Sequence, residues 1–70
     1  MNIVQYDILD KIVEQSDVNS IWISTKKNRE LIAKSLEISS IYVCINIRKL
    51  IKNNKLEFQS RGIYKINLNF

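Results

Sequence analysis

The stretch NRELIAKSLEISSIYVCINIRKLI, residues 28–51, decides the architecture of this chain. In its second half Val43, Ile47, Leu50 and Ile51 recur at intervals of four, three and one, the spacing that gathers side chains on one face of a helix. Ser39 precedes that run as an N-cap, its hydroxyl oxygen placed to accept from a free amide of the first turn, and the helix is expected to run to about residue 53. In the first half Leu31, Ile32, Ser35 and Leu36 predict the inward stripe of a shorter helix that ends near Leu36, with Ala33 small enough to let a neighbouring helix approach. Asn28 is its expected cap, and Glu30 suits the positive end of its dipole. The two helices are separated by a turn of only about three residues, Glu37 to Ser39.

Working outward, Ile8, Leu9, Ile12 and Val13, with Ile3 and Val4 a turn or two earlier, predict an amphipathic helix over residues 2–15. Asp7, Asp10, Glu14 and Asp17 follow at intervals of three, four and three, which lines them along one solvated acidic face. Residues 16–20 make a polar break, and Ile21, Trp22 and Ile23 form a β-branched and aromatic run too brief for a helix, hence a short strand. Downstream, Asn53, Asn54 and Lys55 close the long helix, because Asn tolerates the left-handed conformation that follows many helix ends. Leu56 and Phe58 then alternate with Glu57 and Gln59, and Tyr64, Ile66 and Leu68 with Lys65, Asn67 and Asn69. That period of two on either side of Gly62, the only glycine, predicts a β-hairpin with Gly62 at its turn.

The resulting order is helix, strand, helix, helix, hairpin, an α+β arrangement with a helix-turn-helix at its centre, in one domain spanning residues 1–70. A hydrophobic fraction of 46%, a charged fraction of 26% and the absence of Pro fit an ordinary folded domain and exclude collagen-like or disordered classes. A chain this short buries only about 60% of its unfolded surface, so outside stabilisation is expected. Histidine is absent and Cys44 stands alone, which excludes an intrachain disulfide and a zinc site of Cys and His ligands; no cofactor is expected, and a partner remains. No apolar run approaches the roughly 20 residues that span a bilayer, so no membrane segment is expected. Asp7 and Asp10 stand where a secretory signal would be apolar, and with the unpaired cysteine they point to the cytoplasm.

Charge is unevenly distributed. The net charge of +4 divides into −3 over residues 1–20, +6 over residues 21–56 and +1 beyond. Such clustering, with an isoelectric point near 9.4, is the electrostatic footprint of a polyanion binder. The segment Asn28-x-x-Leu31-Ile32-Ala33-x-x-x-Glu37-Ile38-Ser39-x-x-x-Val43-x-x-x-Ile47-x-x-Leu50 resembles the winged helix-turn-helix pattern of bacterial DNA-binding proteins. In particular it resembles the DNA-binding part of plasmid replication initiators from Gram-positive bacteria. The stretch Arg61-Gly62-Ile63-Tyr64-Lys65-Ile66-Asn67 is similar to their Gly-aliphatic-Tyr-x-aliphatic-Asn wing strand, and the likeness covers about the last two thirds of the chain. It implies a winged helix with one helix docked in the DNA major groove and a wing at the backbone or minor groove. It also implies a role in replication or transcription control of a plasmid, phage or other mobile element. The sequence departs from the pattern in two respects: Glu37 occupies the turn position usually filled by Gly, and Ile41 and Ile45 stand where base-reading side chains are polar.

The candidate nucleic-acid contacts are Lys26, Lys27 and Arg29 around the start of the first helix of the pair, and Ser39, Ser40, Tyr42, Asn46, Lys49 and Lys52 on the second. Arg61 at the hairpin tip joins them, because a guanidinium fits a narrow minor groove. Duplex and single-stranded DNA are both admissible partners. Ile41, Tyr42 and Ile45 admit another use, a stripe that docks on a larger replication enzyme or on a second copy of the chain. Thymine-methyl contacts, or a larger core in which the first helix covers these residues, account for the same pair. Trp22 is expected to pack against the sheet rather than stack on a base. Catalysis has little to stand on, with no histidine base, no Gly-rich phosphate loop and no nucleophile near a base in sequence.

Overall fold

A computed structural model describes residues 2–67. The elements are α1 (Ile3–Gln15), β1 (Ile21–Ile23), α2 (Lys26–Leu36), α3 (Ser40–Lys52), β2 (Leu56–Ser60) and β3 (Ile63–Ile66). Three helices therefore pack with a three-stranded antiparallel sheet of order β1-β3-β2, a small α+β domain compatible with a winged helix.

Each helix begins on a side-chain cap. Asn2 and Gln5 form a reciprocal capping box, Asn2 Oδ1 accepting from Gln5 N at 2.9 Å and Gln5 Oε1 from Asn2 N at 3.2 Å. Thr25, not Asn28, caps α2, its hydroxyl accepting from Asn28 N at 3.0 Å. Asn28 instead donates from Nδ2 to the Ile23 carbonyl at 2.8 Å and ties the helix back to β1. Ser39 caps α3 as its sequence position indicates, accepting from Tyr42 N at 3.1 Å. Both α2 and α3 end on a left-handed residue, Glu37 at φ 56° and Asn54 at φ 61°. In each case the next amide reaches back to close the helix, Ile38 N to Ala33 O at 3.0 Å and Lys55 N to Leu50 O at 2.9 Å.

The buried face of α2 is rotated from the stripe expected at Leu31 and Ser35. Ile32 and Ala33 are buried and Leu36 is half-buried, while Leu31 and Ser35 face solvent. In α1, Ile8, Leu9 and Ile12 are buried and Val13 is exposed; in α3, Val43, Ile47 and Leu50 are buried and Ile51 packs at the margin. Asp17 lies beyond the end of α1 rather than on its acidic face, and its carboxylate accepts from Asn19 N at 2.8 Å and Ile21 N at 3.0 Å, shaping the loop into β1.

The core gathers these helix stripes on Trp22 of β1, Leu56 of β2 and Ile66 of β3. Trp22, Tyr64 and Phe58 form a cross-strand row, with Tyr64 ring centroids 6.2 Å from Trp22 and 6.1 Å from Phe58. Phe58 lies toward the hairpin tip and is exposed. A bulge between Phe58 and Ser60 precedes the turn, where Gly62 adopts φ +75°. Leu68, placed on the hairpin by its alternation, lies outside the described residues. Among those described, no helix is long and apolar enough to cross a membrane.

Candidate nucleic-acid interface

The start of α2 and the hairpin turn are held together by backbone. Ser24 N donates to the Gly62 carbonyl at 2.7 Å, so the turn carrying Arg61 abuts the residue two positions before α2. Arg29 reinforces the same corner from the first turn of α2. Its Nη1 donates to the Ser24 carbonyl at 2.6 Å and to Ser24 Oγ at 3.0 Å. Arg29, expected as a phosphate contact, is thus half-buried and partly committed to holding β1 against α2. Lys26 and Lys27, the first two residues of α2, are fully on the surface, and Lys26 makes only a 3.9 Å pairing with Glu30. An exposed pair of that length adds little to stability and leaves the ammonium available.

Between α2 and α3 runs an open groove of about 320 Å³. Ile41, Cys44 and Ile45 of α3 form its apolar wall, and Lys26, Arg29 and Glu30 of α2 face them, with Ser40 and Arg48 on the α3 side. Ile41 is 74% exposed and Ile45 41% exposed, so α1 does not cover them. A second, shallower depression of about 170 Å³ adjoins the first, where Ser24 and Tyr64 from the sheet meet Ile47 and Ile51. Arg29, Cys44 and Arg48 line both depressions, which therefore form one continuous surface across α2, α3 and the sheet.

Arg48 was absent from the residues expected here, although helical spacing signals it. At about 100° per residue it shares a face with Ile41, Ile45 and Lys52. Lys52 is exposed on that face, Lys49 and half-exposed Tyr42 sit to one side of it, and Arg61 is exposed at the hairpin turn. Ser39 is occupied as the cap of α3.

Asn46 does not belong to the interface. It is completely buried, with Nδ2 donating to the Tyr42 carbonyl at 2.9 Å and Oδ1 without a partner among the described residues. The reason is rotational: Asn46 lies about 60° from Val43 and about 40° from Leu50 around the helix, within the buried sector. Trp22 is equally inaccessible to a base, with Nε1 donating to Gln15 Oε1 at 2.8 Å. Asp7, Asp10 and Glu14 are exposed on α1, and none of them lines the groove. Among the described residues no group of three or more Cys, Asp or Glu side chains gathers into a metal cluster. Compared with known proteins, the chain matches no family model, no curated protein and no solved structure.

Proposed function

We propose that the chain is a non-enzymatic winged-helix protein that binds nucleic acid through α3, the start of α2 and the hairpin as a wing. The supporting observation is the convergence of cations on one surface. Lys26 and Arg29 of α2 share the groove with Arg48 of α3, and the turn bearing Arg61 is hydrogen-bonded to Ser24 beside them. Lys27, Lys49 and Lys52 flank this surface, while Asp7, Asp10 and Glu14 lie on α1. Phosphates are attracted to the cationic surface and repelled by the carboxylates of α1, which biases the orientation of the domain before any base is read. Replication or transcription control of a mobile element is the setting that the resemblance of residues 28–67 supports.

The test is fluorescence anisotropy with labelled duplex and single-stranded DNA across a salt series. Neutralising about five phosphates gives a log-log slope of roughly −4. No binding to either form at low salt removes the proposal.

A second reading has its own observation. Ile41, Ile45 and half-exposed Tyr42 make an apolar stripe on the outward face of α3, and base-reading helices carry hydrogen-bonding residues there. In this reading α3 docks on protein, as an accessory surface of a larger replication protein or between copies. Ile41→Asp with Ile45→Asp abolishes that assembly while leaving the fold intact; assembly unchanged by the pair removes the reading.

A further inference from the structure

α1 carries a surface that complements the α2–α3 groove in both polarity and charge. With Ile8, Leu9 and Ile12 buried, the opposite side of α1 presents Ile3, 76% exposed, and Tyr6, 48% exposed, with Asp10 and exposed Val13. On a helix of about 3.6 residues per turn these four residues form one stripe, and Asp7 and Glu14 border it along one side. The stripe is therefore apolar with acidic residues. The groove is apolar at Ile41, Cys44 and Ile45, and around it Lys26, Arg29 and Arg48 outnumber the one acidic lining residue, Glu30.

One chain cannot bring these surfaces together. Its own α1 is anchored through Ile8, Leu9 and Ile12 in the core, so the acidic stripe points away from the body of the molecule. Only the α1 of another copy can reach the groove. We infer that the groove receives the outward stripe of α1 from a second copy, a head-to-tail contact between unlike surfaces. This names the partner in the protein-contact reading of α3 and rests on that reading; it does not depend on nucleic-acid binding.

A helix laid in a groove uses its i, i+3 and i+7 residues as anchors, which here are Ile3, Tyr6 and Asp10, with Val13 completing the row. Ile41 and Ile45 stand one turn apart on the facing wall, and Asp10 and Glu14 find Arg48 and Lys26 as counter-charges. The contact leaves a free groove at one end of each pair and a free α1 at the other, so growth continues unless a ring closes. Nucleic acid and the acidic helix also compete for Arg48 and Lys26, so assembly and nucleic-acid binding oppose each other on this surface.

The test is sedimentation velocity of the full chain over a concentration series in low and high salt, with circular dichroism to establish folding. The wild type is expected to exceed dimer mass as concentration rises at low salt, and to dissociate as salt screens the pairing. Asp10→Lys and Arg48→Glu each replace an exposed residue and each should weaken association at least tenfold. Mixed, they should regain association, because the intact groove of Asp10→Lys meets the intact α1 of Arg48→Glu at one junction and the two exchanged charges are again opposite in sign at the other. Should Asp10→Lys unfold the chain, Glu14→Lys takes its place in the series.

A wild type that remains monomeric at every concentration and salt overturns the inference. So does assembly that Asp10→Lys and Glu14→Lys leave unchanged. If Ile41→Asp with Ile45→Asp disrupts that same assembly, α3 docking survives and only α1 as its occupant falls. If neither set of substitutions matters, the docking reading falls as well. DNA binding measured by anisotropy on the wild type, at concentrations below those at which it assembles, reports separately on the nucleic-acid reading.

Discussion

Trp22 Nε1 donates to Gln15 Oε1 at 2.8 Å, and the same Gln15 amide donates through Nε2 to the Asn28 carbonyl at 3.0 Å. One side chain at the end of α1 thereby satisfies the buried indole of β1 and holds the first turn of α2. Gln15→Leu strands the indole N–H in an apolar site at a cost of about 1–3 kcal/mol. For a domain of this size each kcal/mol lowers Tm by roughly 4–8 °C. Urea titration followed by the fluorescence of Trp22, the single tryptophan, reads the change directly. Stability equal to the parent would show that this amide does not carry the junction.

Asn46→Leu should stabilise the protein. Asn46 Oδ1 is buried without a partner among the described residues, and the Nδ2 bond to the Tyr42 carbonyl recovers only part of the desolvation. Replacing the amide with an apolar side chain of similar size gains about 1 kcal/mol by thermal unfolding. Asn46→Asp should lower stability by more than that, since it buries a charge. A Leu variant less stable than its parent points to packing that the branched side chain does not fit.

Glu37 holds φ 56° at the turn between α2 and α3, where a side chain strains the backbone. Glu37→Gly relieves this, offset in part by the greater freedom of glycine in the unfolded chain, for a net gain of about 0.5–1 kcal/mol. Chemical denaturation midpoints compare the two. Gly62→Ala runs the opposite way: φ is +75° and the nearest atom to an added Cβ is Ser24 O at 4.0 Å, so its cost is backbone strain rather than a clash.

For the proposed nucleic-acid surface, Lys26→Ala with Lys27→Ala should reduce affinity similarly for all sequences and flatten the salt slope by about 2. Arg48→Ala should do so by about 1. Neither exchange removes a residue of the core, and far-ultraviolet circular dichroism should be unchanged. Affinity and slope indistinguishable from the parent in both variants would count against cation-driven binding on this face.

Much of this architecture is legible in the sequence because burial imposes periodicity. Val43, Ile47 and Leu50 fix the phase of α3, Ser39 its start, and Gly62 the hairpin turn. α2 is less legible because Thr25 and Asn28 are both good caps, and because Leu31 and Leu36 on either side of Ile32 leave the inward face open by spacing alone. At the interface, rotation around α3 governs more than residue type. Asn46 suggests a base contact by chemistry yet points inward by angle, and Arg48 shares the angle of Ile41 and Ile45. The tie from Ser24 N to the Gly62 carbonyl depends on the hairpin returning to β1, a long-range relation that no local pattern carries.

The sheet order β1-β3-β2 sets a schedule for synthesis. β3 is the middle strand, and its pairing of Tyr64 with Trp22 spans most of the described chain. A nascent polypeptide that has emerged only as far as Ser60 holds two outer strands and nothing between them, so Trp22 has no cross-strand neighbour. Until Ile63 to Ile66 leaves the ribosome the three helices lack their platform, and cooperative folding waits for nearly the whole of the described chain.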